Sequence, residues 1–193
     1  MTGTVTTLHP VIVPVSGNDQ MLRGREKVAR LSQLARSALQ RSCRISGLRL
    51  DCLPKDEDGV PLPVAGVYWS LSHKSEVVGG VAAPTPVGFD LETLRPINSG
   101  LMDRVADAEE WRLVDGKRTE KNFFRFWTAK EAVLKAEGKG FAGLPRCRIV
   151  RVVDAVRMVL AFDARRWPVA HLWFDDHVAA ITSHRFTVDW RVV

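Results

Sequence analysis

The chain has 193 residues, 46% of them hydrophobic and 26% charged. At ~150 residues per domain this makes one large domain or two small ones, long enough to bury a core without staples. Disulfide scaffolds, collagen-like chains and disordered chains are excluded, and no run approaches the ~20 apolar residues of a membrane span.

The N-terminal run 11–15 is broken by Pro14 and has no basic region ahead of it, so it does not read as a signal-peptide core. Residues 1–20, with Pro10, Pro14 and Gly17, read as an extended lead-in. Residues 21–45 read as a helix, because Val28, Leu31, Leu34, Ala35 and Ala38 recur at three- and four-residue spacing, and Gly47 ends it. The net charge of +6 concentrates here: residues 21–49 hold eight bases against Glu26, or 8 − 1 = +7. Such a segment is either a solvated helix face or a surface for an anionic partner. Residues 54–66 form a loop rich in Pro, Gly and acids.

Strands follow at 67–71 and 77–82, then a break at Pro84 and Pro86, then a strand at 87–91. A helical stretch spans 101–114, and a second helix spans 120–137, ending at Gly138-Lys139-Gly140. Strands are expected at 148–153, 156–162, 170–174, 178–182 and 186–192. A faint repeat relates Trp69-Ser-Leu-Ser-His73 and its following strand to Trp173-Phe-Asp-Asp and the strand after it. The expected fold is α+β, built as two similar α/β halves at 1–88 and 89–193. Cys43, Cys52 and Cys147 are odd in number and form no CxxC pair, which suits a reducing cytoplasm and argues against zinc.

Three segments carry chemistry. In Gly88-Phe-Asp90-Leu-Glu92, strand alternation puts both carboxylates on one face, after a glycine that admits close approach. That is either a hard-cation site, with Mg²⁺ favoured over zinc by oxygen-only ligands, or an edge strand with a solvated acidic face. The helix Phe123–Lys135 is apolar nearly all round, while Thr128, Glu131 and Lys135 share one stripe. Either Glu131 pairs with Lys135 one turn on, or the carboxylate completes a metal site beside a lysine that meets a phosphate; Lys130 serves either reading. Ser70-Leu-Ser72-His73 ends a strand, and with Lys74 next to it the histidine is structural or an anion ligand. Acids and bases without a serine, cysteine or histidine nucleophile point to metal-assisted chemistry on a phosphate ester or anhydride.

These segments, in this order, resemble the 4′-phosphopantetheinyl transferases, particularly the larger, surfactin-synthetase-activating class. The GxDxE motif of that family stands at Gly88–Glu92, WxxKEAxxK at Trp127–Lys135 and SxSH at Ser70–His73, so the resemblance covers about residues 21–150. It implies two similar halves with the active site in the cleft between them. It implies transfer of the phosphopantetheine arm of coenzyme A to a serine of an acyl or peptidyl carrier protein, releasing adenosine 3′,5′-bisphosphate. Asp90, Glu92 and Glu131 would hold Mg²⁺, or Mn²⁺, against the pyrophosphate. Glu131 would also accept the serine proton, with Glu110 an alternative base or ligand. Lys135 would neutralise pyrophosphate charge and Lys130 would assist. His73 would bind the 3′-phosphate, helped by Arg36 of the basic helix. One departure stands out: where the family often has Gly-Lys-Pro, this chain reads Gly59-Val60-Pro61, without the lysine.

The two-half architecture of the family favours a monomer, the cysteine pattern a cytoplasmic protein and the lack of a long apolar run no membrane partner; no nucleic-acid partner is expected. Two other readings compete. One is a fold relative that keeps the coenzyme A cleft but acts as a binding or regulatory partner. The other is a nucleic-acid binder using the basic helix, which leaves the buried acids unexplained.

Overall fold

The structure is a computed structural model that describes residues 6–193. In chain order it contains β1 (Thr7–Leu8), β2 (Val11–Pro14), α1 (Gly17–Met21), α2 (Gly24–Ser46), β3 (Tyr68–His73), β4 (Val77–Ala83) and β5 (Phe89–Thr93). Then come α3 (Ser99–Val105), α4 (Ala108–Arg112), α5 (Glu120–Glu137), a 3₁₀ turn (Phe141–Arg146), β6 (Cys147–Val152), β7 (Arg157–Phe162), β8 (Arg165–Phe174), β9 (His177–Thr182), β10 (Thr187–Val188) and β11 (Arg191–Val192).

These elements make a mixed α+β fold. One sheet runs in the order β11-β2-β4-β3 and a second in the order β5-β9-β8-β7-β6, while β1 and β10 pair separately. Helix α2 lays Leu31, Ala35, Leu39 and Cys43 against the first sheet, near Val78, Trp69 and Ala82. Helix α5 buries Phe123, Phe126, Val133 and Leu134 against Ile149, Leu160, Trp167 and Val178 of the second. The remaining faces meet in a shared cluster of Leu8, Ile12, Val77, Val81, Phe89, Leu91 and Ile181. Each fully buried Phe or Leu contributes about 1.5–3 kcal/mol relative to exposure, so these faces supply most of the driving force.

The two stretches of the faint repeat are both antiparallel hairpins, β3–β4 and β8–β9. The 88/89 boundary falls just before β5, but β10 and β11 cross back. Thr187 pairs with Thr7 and Arg191 with Val11, both in parallel.

Local differences from the expected elements have plain causes. Helix α1 lies in the supposed extended lead-in: Ser16 caps it by accepting from the Asp19 N–H, and five residues are too few to show a period. The stretch 101–114 is two helices, because Asp107 starts a new one with a capping box to Glu110. Strand β8 begins at Arg165, five residues early, where exposed arginines and Pro168 hide the alternation. The last strand is two short ones, interrupted at Asp189 and Trp190.

Helix α5 runs over the expected span. Thr119 caps its start and Gly138, in the left-handed conformation at φ 64°, ends it. It lies directly on the start of β5, where a Cβ added to Gly88 would stand 1.7 Å from the Ala132 carbonyl oxygen. The close approach this glycine allows is therefore to a helix backbone. Gly88→Ala should separate α5 from β5 and lower the melting temperature by at least about 5 °C, measured by calorimetry.

Candidate active site

Strands β3 and β5 are the facing edges of the two sheets, and no main-chain ladder joins them. Side chains join them. The Phe89 N–H donates to the Ser70 hydroxyl at 3.0 Å, and the Leu91 N–H donates to the Ser72 hydroxyl at 3.2 Å. The Ser72 hydroxyl in turn donates to Asp90 Oδ1 at 2.9 Å. From α5, Lys135 Nζ donates to the Phe89 carbonyl at 3.0 Å, to Asp90 Oδ1 at 2.7 Å and, more weakly, to the Leu71 carbonyl at 3.4 Å. A buried edge must satisfy its polar groups, and here two serines and one ammonium do so.

The cleft at this seam holds two adjoining cavities, of 220 and 290 Å³. Leu71, Glu131 and Lys135 line both. The larger takes in Ser72, His73, Lys74, Asp90, Glu92, Trp127 and Phe141. The smaller has an apolar wall of Val60, Pro61, Trp69 and Leu134, with Lys55 and Asp58 at its loop side.

Asp90 and Glu92 are both buried, so the reading of a solvated acidic face does not hold. Glu92 Oε1 accepts from Lys74 Nζ and from the Trp127 indole N–H, each at 2.8 Å. The expected alternative of a Glu131–Lys135 pair also does not form, because Lys135 is committed to Asp90 and the strand carbonyls. Burial raises the Glu131 pKa to about 7; the negative charge of Asp90 adds to the rise and Lys135 opposes it.

Two buried oxygens, Asp90 Oδ2 and Glu131 Oε1, have no hydrogen-bond partner. Unpartnered buried acceptors are costly, and an all-oxygen donor set suits a hard cation such as Mg²⁺. Among the described residues no group of three His, Cys, Asp or Glu side chains is already gathered as a metal site. The reason is visible at Glu92, which is turned to Lys74 and Trp127.

The cleft thus brings together Asp90, Glu92, Glu131, Lys135 and His73. The His73 pKa is lowered, first by burial and then by the charges of Lys135, Lys74 and Lys55. Burial and these charges favour the neutral ring, and the positive charge around it belongs to the lysines.

Three expected site residues lie elsewhere. Arg36 lines a separate cavity with Leu39, Gln40, Cys43 and Cys52, because its turn of α2 faces the segment 50–53. Glu110 and Lys130 form a buried ion pair at 2.7 Å, beside a third cavity with Cys147 and Arg148. Their charges are taken up by each other, and neither lines the cleft.

Sequence reasoning passed over Lys55. It sits in a small hairpin: Lys55 bridges Pro61, the Asp56 N–H donates to the Val60 carbonyl, and the Leu62 N–H donates to the Pro54 carbonyl. Val60, where a lysine was expected, instead rests against Gly138 at the end of α5. Lys55, on the opposite arm, lines the cavity and has no acidic partner among the described residues.

Residues 86–182 match the family model of the 4′-phosphopantetheinyl transferase superfamily, and the chain belongs to that family. It is 33% identical over 82 residues to the 4′-phosphopantetheinyl transferase psf-1 of Bacillus pumilus, covering 41% of this chain and 35% of that protein. It is 32% identical over 125 residues to HetI of a Nostoc species, covering 62% and 52%. To Sfp of Bacillus subtilis it is 27% identical over 121 residues, covering 61% and 50%. The matched region thus spans about a third to a half of the length of these relatives. Among the described residues no helix is long and apolar enough to cross a membrane.

The raised pKa has a thermodynamic consequence. Folded Glu131 holds its proton to about pH 7, against 4.5 for an ordinary glutamate, so between those values the folded state binds more protons. Stability therefore falls as pH rises through that window. Glu131→Gln removes the penalty. Its melting temperature should match the wild type at pH 5 and exceed it at pH 8.

Proposed function

We propose that this protein transfers the 4′-phosphopantetheine arm of coenzyme A to a serine hydroxyl of an acyl or peptidyl carrier protein, with Mg²⁺, releasing adenosine 3′,5′-bisphosphate. The observation that carries this reading is the pair of buried, unpartnered carboxylate oxygens of Asp90 and Glu131 beside the Lys135 ammonium. Family membership supplies the reaction class. The two-half description, 1–88 and 89–193, remains part of the proposal, with the reacting groups drawn from β3 on one side and β5 and α5 on the other.

Asp90 and Glu131 would hold the metal, joined by Glu92 if it releases Lys74; bound Mg²⁺ would screen the charge of the pyrophosphate. Glu131 stands at the centre of this group, with one carboxylate oxygen unpartnered and in reach of the cleft. It accepts the proton of the serine hydroxyl as that oxygen attacks the phosphorus carrying the pantetheine arm. The phosphorus–oxygen bond to the nucleotide breaks, and the electron pair leaves on adenosine 3′,5′-bisphosphate. Lys135 stabilises charge on the phosphates. Lys55 and Lys74 hold anionic groups of coenzyme A, Lys55 serving from the opposite arm of the hairpin that carries Val60. His73, on the same wall of the cleft, adds a hydrogen bond to a phosphate.

The test is intact-mass spectrometry of several apo carrier proteins after incubation with protein, coenzyme A and Mg²⁺. One carrier should gain the mass of a phosphopantetheine arm, and Glu131→Gln should cut kcat by at least roughly 10²-fold. No mass gain on any carrier would contradict the reading. For Lys55→Gln, the KM for coenzyme A should rise several-fold with kcat nearly unchanged, the pattern of lost uniform binding.

A further inference from the structure

The transferase reading leaves unused the most deeply buried ion pair among the described residues. Glu110 and Lys130 pair at 2.7 Å with side chains 4% and 3% exposed. Removing two charges from water costs several kcal/mol per ion, which only good geometry and further hydrogen bonds offset. Glu110 has both. Its Oε1 also accepts the Ile149 N–H at 2.8 Å, and its Oε2 accepts the Asp107 N–H at 3.1 Å. One carboxylate therefore ties the start of α4, strand β6 and helix α5 together.

Lys130 immediately precedes Glu131. Successive side chains on a helix lie about 100° apart, so seating Lys130 on Glu110 fixes the direction in which Glu131 leaves α5. Glu131 has little of its own to hold it. Its Oε1 has no partner, and Lys135, one turn on, is bonded to Asp90. A rotation of α5 by ~10° would carry a carboxylate ~6 Å from the helix axis by about 1 Å. A misplacement of that size can cost ~10²-fold in rate.

We propose that the Glu110–Lys130 pair is a positioning device that aims Glu131 into the cleft. Neither residue touches substrate; both act through the setting of α5. The proposal rests on the transferase reading for its activity readout. It stands on the geometry of α5 for the other.

The experiment compares the wild type with Glu110→Gln/Lys130→Met. That double variant removes both charges together and keeps volume; the Gln oxygen can still accept the Ile149 N–H, and only the Asp107 N–H, at the exposed start of α4, loses its acceptor. The melting temperature should stay within a few degrees. At saturating Mg²⁺, kcat should fall 10- to 100-fold, while the KM for coenzyme A changes less than twofold. Mn²⁺ titration followed by electron paramagnetic resonance gives a readout without turnover, and Mn²⁺ binding should weaken several-fold. Wild-type kcat together with wild-type Mn²⁺ affinity would overturn the proposal and leave the pair a structural tie. If the wild type transfers to no carrier but the double variant still loses Mn²⁺ affinity, the transferase reading fails and the positioning role stands. Should the double variant not fold, Glu110→Asp serves in its place. It keeps both charges but shortens the tether by one methylene. kcat should then drop at least threefold with KM unaltered, and full kcat would overturn the proposal.

Discussion

The meeting of β3 and β5 through side chains is the constraint on which the rest depends. Two sheet edges face each other without a ladder, so the Phe89 and Leu91 N–H groups and the Phe89 carbonyl need other partners. Ser70, Ser72 and Lys135 supply them. An ordinary strand pair would have closed this gap with main chain. Bridging it with hydroxyls and an ammonium keeps the sheets apart and leaves a cleft, with Asp90 on its wall. Gly88 completes the arrangement by letting α5 touch β5, which brings Glu131 and Lys135 within reach of the seam.

The electrostatics follow from the same geometry. Lys135 serves both the fold and the site, since the ammonium that staples the strand carbonyls also neutralises Asp90. Lys74 does the same for Glu92. Glu131 is left with burial and a nearby negative charge, which together hold its proton to about pH 7. Under the proposed function, a site with two carboxylates matched to lysines and a third near its titration point would take up positive charge from a metal and negative charge from phosphates. The pKa of His73 is lowered first by its burial and then by the charges of Lys135, Lys74 and Lys55.

Much of this was legible in the chain. The polar stripe of α5, its end at Gly138 and the alternation in β5 place Asp90, Glu92, Glu131 and Lys135 on their faces, because each is a local property of one element. What escaped is non-local. Nothing near Glu110 announces that Lys130 and the Ile149 N–H converge on it, so an acid between two motifs reads as catalytic when its charge is spent internally. Arg36 lies on a basic helix, but which turn faces the cleft depends on how the segment after α2 folds back. Lys55 is hidden for the same reason: only the hairpin pairing with Pro61 brings it beside the cavity. The two serines read as part of a histidine-bearing motif, whereas their hydroxyls bond a strand nearly twenty residues away.

The central claim is that the seam makes a site in which metal and substrate phosphates bind interdependently. Isothermal titration of coenzyme A into the protein, with and without Mg²⁺, tests it most directly. Binding should tighten at least tenfold with Mg²⁺, and Asp90→Asn should abolish the enhancement while leaving the metal-free affinity unchanged or higher, since Lys135 is then released to the phosphates. An affinity for coenzyme A that is the same with and without Mg²⁺ in the wild-type protein would contradict the account.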